Sequence, residues 1–91
     1  MIIEEKDFKL IPIDDSSNLF DLELLYKVQP RGKESRMEFK NVAYGIGLAN
    51  AIRRVAHYRV SQNHKEEAIT LVTYFRDFIK EIDSLKVLCG I

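Results

Sequence analysis

The sequence predicts an α+β fold in which a three-stranded antiparallel sheet is followed by two helices packed on one of its faces, in the order β-β-β-α-α. Three observations point there. The first half alternates apolar and polar residues with period two, the second half repeats its apolar residues at spacings of three and four, and polar turn-forming runs separate the alternating stretches. Strands gathered ahead of helices indicate helices covering the apolar face of an antiparallel sheet, not a doubly wound parallel one. At 91 residues and 46% apolar content the chain is sized for a single domain over 1–91. A domain that short buries only about 60 to 65% of its unfolded surface, so covering by a partner or a second copy would add usefully to its stability.

The first strand is placed at about 7–13, where Phe8 to Ile13 alternates loosely before Asp14, Asp15, Ser16, Ser17 and Asn18. Those five side chains bond their own backbone and favour a turn. Ahead of it, Met1 to Glu5 shows no pattern and is expected to be disordered, as are the last two residues. The second strand, about 19–29, is the clearest: Phe20, Leu22, Leu24, Tyr26 and Val28 share one face, and Asp21, Glu23, Lys27 and Gln29 share the other. Pro30 ends it, and a polar loop through Ser35 leads to a third strand at about 36–44. Met37 and Phe39 are out of phase there with Val42 and Tyr44, which a bulge near Asn41 would reconcile. Tyr44-Gly45-Ile46-Gly47 then breaks the strand pattern.

A first helix at about 47–62 carries Leu48, Ala51, Ile52, Val55 and Tyr58 on one face, with Ala49, Ala56 and Val60 beside them. The second helix, about 64–88, has the strongest pattern in the chain. Ala68, Leu71, Phe75, Phe78, Ile82, Leu85 and Cys89 form one seam, widened by Val72 and Ile79, against a polar back. Asn63 followed by Glu66 reads as a variant capping box, and Gly90 as the residue closing the helix. On this reading Phe75 and Phe78 are among the most buried residues, packed on the Phe20 to Tyr26 face. About 24 residues would make a rod of about 36 Å. That is longer than the roughly 31 Å diameter implied by a compact chain of this size.

Fourteen basic and fourteen acidic residues cancel, which removes the bulk attraction to nucleic acid or anionic membrane of a strongly basic protein. The charges are unevenly placed. Residues 1–26 hold seven acids against two lysines, and residues 27–59 hold eight Lys or Arg against two Glu. A single cysteine, Cys89, excludes an internal disulfide and suits a reducing compartment. An acidic N-terminus without a long apolar run resembles no signal or transit sequence, and no stretch approaches the ~18 apolar residues of a membrane span. The expected location is the cytoplasm.

Catalytic patterns are not found. Gly45-x-Gly47 lacks both the third glycine and the Gly-Lys-Ser/Thr of phosphate-binding loops, and reads as a hinge. His57 and His64, with Glu66 and Glu67 near, lack the spacing of a zinc site. No Ser, Cys or Thr occupies a nucleophile motif, and Asp14, Asp15, Glu66 and Glu67 are explained by turn and cap chemistry. No catalytic residue, metal ligand or cofactor is assigned, and the chain is not expected to be an enzyme. Two surfaces carry binding content. Arg31, Lys33, Arg36, Arg53, Arg54, His57 and Arg59 are candidates for phosphate contact. The extra width of the second helix's seam, at Val72 and Ile79 with Arg76 on its rim, marks a surface for self-association as a homodimer.

The β-β-β-α order with Gly45-x-Gly47 ahead of the helix resembles the C-terminal two-thirds of a double-stranded RNA-binding domain. Leu48, Ala49 and Asn50 stand where that family has its lysines, however, and its first helix has no counterpart. A short acidic start, Leu19-Phe20-Asp21-Leu22-Glu23-Leu24, a polar glycine-containing turn and Phe39-Lys40-Asn41-Val42-Ala43-Tyr44 entering a helix resemble small uncharacterised proteins of bacteriophage and prophage early regions, over about residues 7–60. That resemblance implies a protein binding host or phage machinery, in the host cytoplasm. The leading expectation is therefore a small non-enzymatic protein-interaction module, with nucleic-acid binding through the segment 31–59 as the alternative.

Overall fold

A computed structural model of the chain describes residues 2–14, 18–65 and 67–88. It contains strands β1 (Ile3–Glu4), β2 (Phe8–Pro12), β3 (Leu19–Val28) and β4 (Arg36–Gly47), followed by helices α1 (Leu48–Asn63) and α2 (Leu71–Leu88). These belong to two compact units, Met1–Leu48 and Ala49–Ile91.

In the first unit the strands form an antiparallel sheet in the order β1-β2-β3-β4. The sheet therefore has four strands and not three. Ile3 pairs with Leu10 and Glu4 with Lys9, across a tight turn in which the Glu5 amide donates to the Phe8 carbonyl at 2.9 Å. Ile3 and Glu4 thus form a strand where disorder was expected: two residues are too few to show an alternation in sequence, and pairing, together with the Lys9–Glu4 ion pair at 3.7 Å, orders them.

Phe8 stands opposite Leu24, Leu10 opposite Leu22, and Leu22 in turn opposite Ala43. Side chains alternate across a strand, so these residues share one face with Phe20, and all six are buried. On the other face the Lys9 ammonium lies 4.3 Å from the centre of the Phe39 ring.

β4 extends through the residues expected to end it. Its register with β3 shifts twice, between Phe20 and Leu22 and between Leu22 and Glu23, so that Val42 and the pair Tyr44–Gly45 fall outside the regular pairing. The shift between Leu22 and Glu23 lies beside Asn41 and brings the two phases of the strand into agreement. At the shift between Phe20 and Leu22, Gly45 has φ +60°, a conformation costly for other residues, and its amide donates to Asp21 Oδ1 at 3.0 Å. The β3–β4 connection turns at Gly32 (φ +75°), where the Lys33 amide donates to the Pro30 carbonyl at 3.1 Å.

In the second unit, α1 buries Ala51, Ile52, Val55, Ala56, Tyr58 and Val60, the expected face. α2 starts at Leu71, not near His64, and spans 18 residues or about 27 Å. Its cap is Thr70. The Thr73 amide donates to Thr70 Oγ1 at 3.1 Å, and the Tyr74 amide donates to the Thr70 carbonyl at 3.0 Å. Ile69 and Tyr74 hold the staple positions on either side of the cap. A threonine three residues ahead of another threonine thus outcompetes the Asn63 signal, and Asn63 is instead the last residue of α1. Glu66, the second half of the expected capping box, lies outside the described residues, as do Asp15, Ser16 and Ser17 of the first turn, Cys89 and Gly90. Thr70→Ala should cost about 1 kcal/mol in a urea melt, whereas Asn63→Ala should change the midpoint far less.

Candidate functional site

The feature of the second unit that departs most from an ordinary core is the outer face of α2. Of its apolar residues only Leu85 is buried, at 1% exposure. Val72, Phe75 and Ile79 are 75%, 52% and 57% exposed, and Leu71 at the helix start is also open. With Ile82, partly exposed, they follow the 3–4–3 spacing that keeps residues in line along a helix. Phe75 is thus at the surface and Phe78 only partly buried, so neither is among the most buried residues. Arg76, the third residue expected in a self-association surface, borders this stripe, 3.7 Å from the neighbouring Asp77.

The inner side of α2 meets α1 and His64 through long side chains. Tyr74 is their hub. Its ring stacks on Phe78 at 5.7 Å and 23°, meets Phe75 edge-on at 5.7 Å, and meets the His57 ring at 5.8 Å, with its hydroxyl 2.9 Å from His57 Nδ1. Arg59 pairs with Glu81 at 3.5 Å. His64, just beyond α1, lies between two carboxylates, with Nε2 2.7 Å from Asp77 Oδ2 and Nδ1 3.3 Å from Glu67 Oε2. Periodicity assigns Tyr74 to neither face, and the joining of His64 to Asp77 becomes visible only once α2 is read as starting after Thr70. The Thr70-x-x-Thr73 spacing is the sequence signal for that start.

Two acceptors on one imidazole favour its doubly protonated form. The bond to Asp77 first, then that to Glu67, raise the His64 pKa above its ordinary value. The same bond lowers the Asp77 carboxyl below its usual range, with Arg76 and Lys80 adding to it. The raised imidazole contributes stability fully below its unfolded pKa, and loses it as pH rises through the folded value. The lowered carboxyl contributes above its unfolded pKa, and loses it as pH falls through its folded value. The clamp is accordingly complete between about pH 3.9 and about pH 6.5, the unfolded values, and weakens outside them. An NMR titration should place the His64 midpoint above about 6.5, and Asp77→Asn should bring it down. An unchanged midpoint in that variant would show that the pair is not formed.

The seven basic candidates are divided between the units. Arg31, Lys33 and Arg36 belong to the first, in the β3–β4 loop and at the start of β4, where Arg36 pairs with Glu38. Arg53, Arg54 and His57 are exposed on α1. Arg59 lies about 120° to 160° around the helix from these three, between Val55 and Ile52 on the buried side, and is engaged by Glu81. Ala49, Ile52 and Arg53 of α1 and Ile82 and Lys86 of α2 also line a shallow groove with an apolar floor and two cations at its mouth. Among the described residues no three His, Cys, Asp or Glu side chains stand close enough to hold a metal ion, and no helix is long and apolar enough to cross a membrane. No protein-family model, curated protein or solved structure matches this chain.

Proposed function

We propose that the chain is a small non-enzymatic protein-interaction module that binds through the outer face of α2. The observation carrying this reading is the aligned exposure of Val72, Phe75 and Ile79 on a capped helix. Scattered apolar side chains are normal on a protein surface, but several in line on one rigid element, rimmed by charge, are the usual form of a protein-binding patch. A bacteriophage or prophage setting, with a host or phage protein as target in the host cytoplasm, extends this proposal and rests on the resemblance of residues 7–60 alone. Nucleic-acid binding is the second reading, favoured by the exposure of Arg53, Arg54 and His57 together on α1.

Retention of bacterial proteins by the immobilised chain, compared with its folded Ile79→Asp variant after nuclease treatment, tests the first reading. Proteins held by the wild type and released by the substitution are expected, and equal retention by both overturns it. For the second reading, affinity for a generic DNA duplex should fall steeply as salt rises, because phosphate contacts release counterions. Absence of binding at low salt removes it.

A further inference from the structure

Resting on that reading, we infer that the partner of the α2 face is a second copy of this chain, lying antiparallel across it about a two-fold axis beside Ile79. Val72, Phe75, Ile79 and Ile82 are spaced as the alternating seam positions of a two-helix coil, and Lys86 closes the seam at the next. Arg76 and Asp83 each follow a seam residue by one, so both stand on the same flank, seven residues apart and about 10.5 Å along the axis. Leu71, Phe78 and Leu85 form the opposite flank. On that flank Leu85 is buried and Phe78 stacks on Tyr74, while Leu71 at the helix start is open. The Arg76–Asp83 flank is exposed.

The direction of pairing follows from this asymmetry. A parallel pair would set the Arg76 flank of one copy against the apolar Leu71–Phe78–Leu85 flank of the other and leave Arg76 and Asp83 without a charged counterpart. An antiparallel pair sets like flanks together. Reversal about a point between Ile79 and Lys80 then places Arg76 opposite the partner copy's Asp83, and Asp83 opposite its Arg76, while the two Ile79 side chains meet near the axis. The same reversal sets Lys86 against Thr73 and Val72, and Lys80 against Ile79, so no two cations are opposed. One surface carrying both a cation and an anion at the reversed spacing is what an isologous interface requires. A single helix face is at the small end of specific interfaces, so association should be reversible and concentration-dependent.

Sedimentation equilibrium of the purified chain from micromolar to millimolar concentration tests this. The mass should climb from 10.6 kDa toward twice that value. Arg76→Asp alone and Asp83→Arg alone should each weaken the dimer at least about tenfold, the double reversal R76D/D83R should restore it, and Ile79→Asp should abolish it. Circular dichroism checks that each variant stays folded. Monomer at every concentration overturns the dimer. If the extract proteins are still retained in an Ile79-dependent way, the interaction-module reading survives it; if they are not, both fall. A dimer indifferent to Ile79, or to both charge reversals, uses another surface and also overturns the inference.

Discussion

Phe8→Ala should destabilise the chain by about 3 to 5 kcal/mol, the range for truncating a fully buried aromatic ring. Phe8 is 1% exposed and faces Leu24 across the β2–β3 ladder, and the neighbouring pair on the same face, Leu10 and Leu22, is equally buried. The side chain is large, its neighbours are held in register by strands on either side, and little can move to fill the space it leaves. A loss of that size is a large part of the 5 to 15 kcal/mol that holds an ordinary domain together. Lys9→Ala, one residue along on the opposite face, provides the control. It removes a cation from the Phe39 ring and an ion pair with an exposed Glu4, together about 1 to 2 kcal/mol at most. Urea unfolding of both variants should separate them clearly. A Phe8→Ala loss below about 1 kcal/mol would mean that this face is not closed over Phe8.

Much of this arrangement was legible in the residues, and the parts that were not share a cause. Phe20, Leu22 and Leu24 alternate over a long strand with polar residues between them, so periodicity alone assigns their buried face. Ala51, Ile52, Val55 and Ala56 do the same for α1. β1 is too short to carry a period, and β4 continues through Gly45 because a side-chain acceptor, Asp21, satisfies the backbone where the ladder is interrupted. The start of α2 was decided by competition between two capping signals of similar strength, a comparison that residue preference leaves nearly even. For the interaction face the obstacle is width. From Tyr74 to Val72 the apolar arc of α2 spans about 160° at ~100° per residue, more than one neighbour covers, and the pattern does not state which half stays open. The edge toward Leu85, Phe78 and Tyr74 is the covered one, because it carries the groups that reach His57, Arg59 and His64.

That assignment of the two halves of α2 predicts an inversion of what residue size suggests. Leu85→Ala should cost about 2 to 5 kcal/mol, since the leucine is 1% exposed and is the one buried side chain of the helix among the described residues. Phe75→Ala removes a larger group but one that is 52% exposed and touches Tyr74 by its edge, so about 1 kcal/mol or less should be lost from the monomer. The comparison has to be made at a protein concentration well below that at which dimer forms. Above it, association adds a term to the apparent stability of the wild type that Phe75→Ala would also remove, and a surface role would imitate a core one. Run at low and then high concentration, the Leu85→Ala deficit should stay nearly constant while the Phe75→Ala deficit grows. Should Phe75→Ala cost as much as Leu85→Ala in the dilute monomer, the helix would be turned with its wide face inward, and the open stripe on which the proposed interaction depends would not exist.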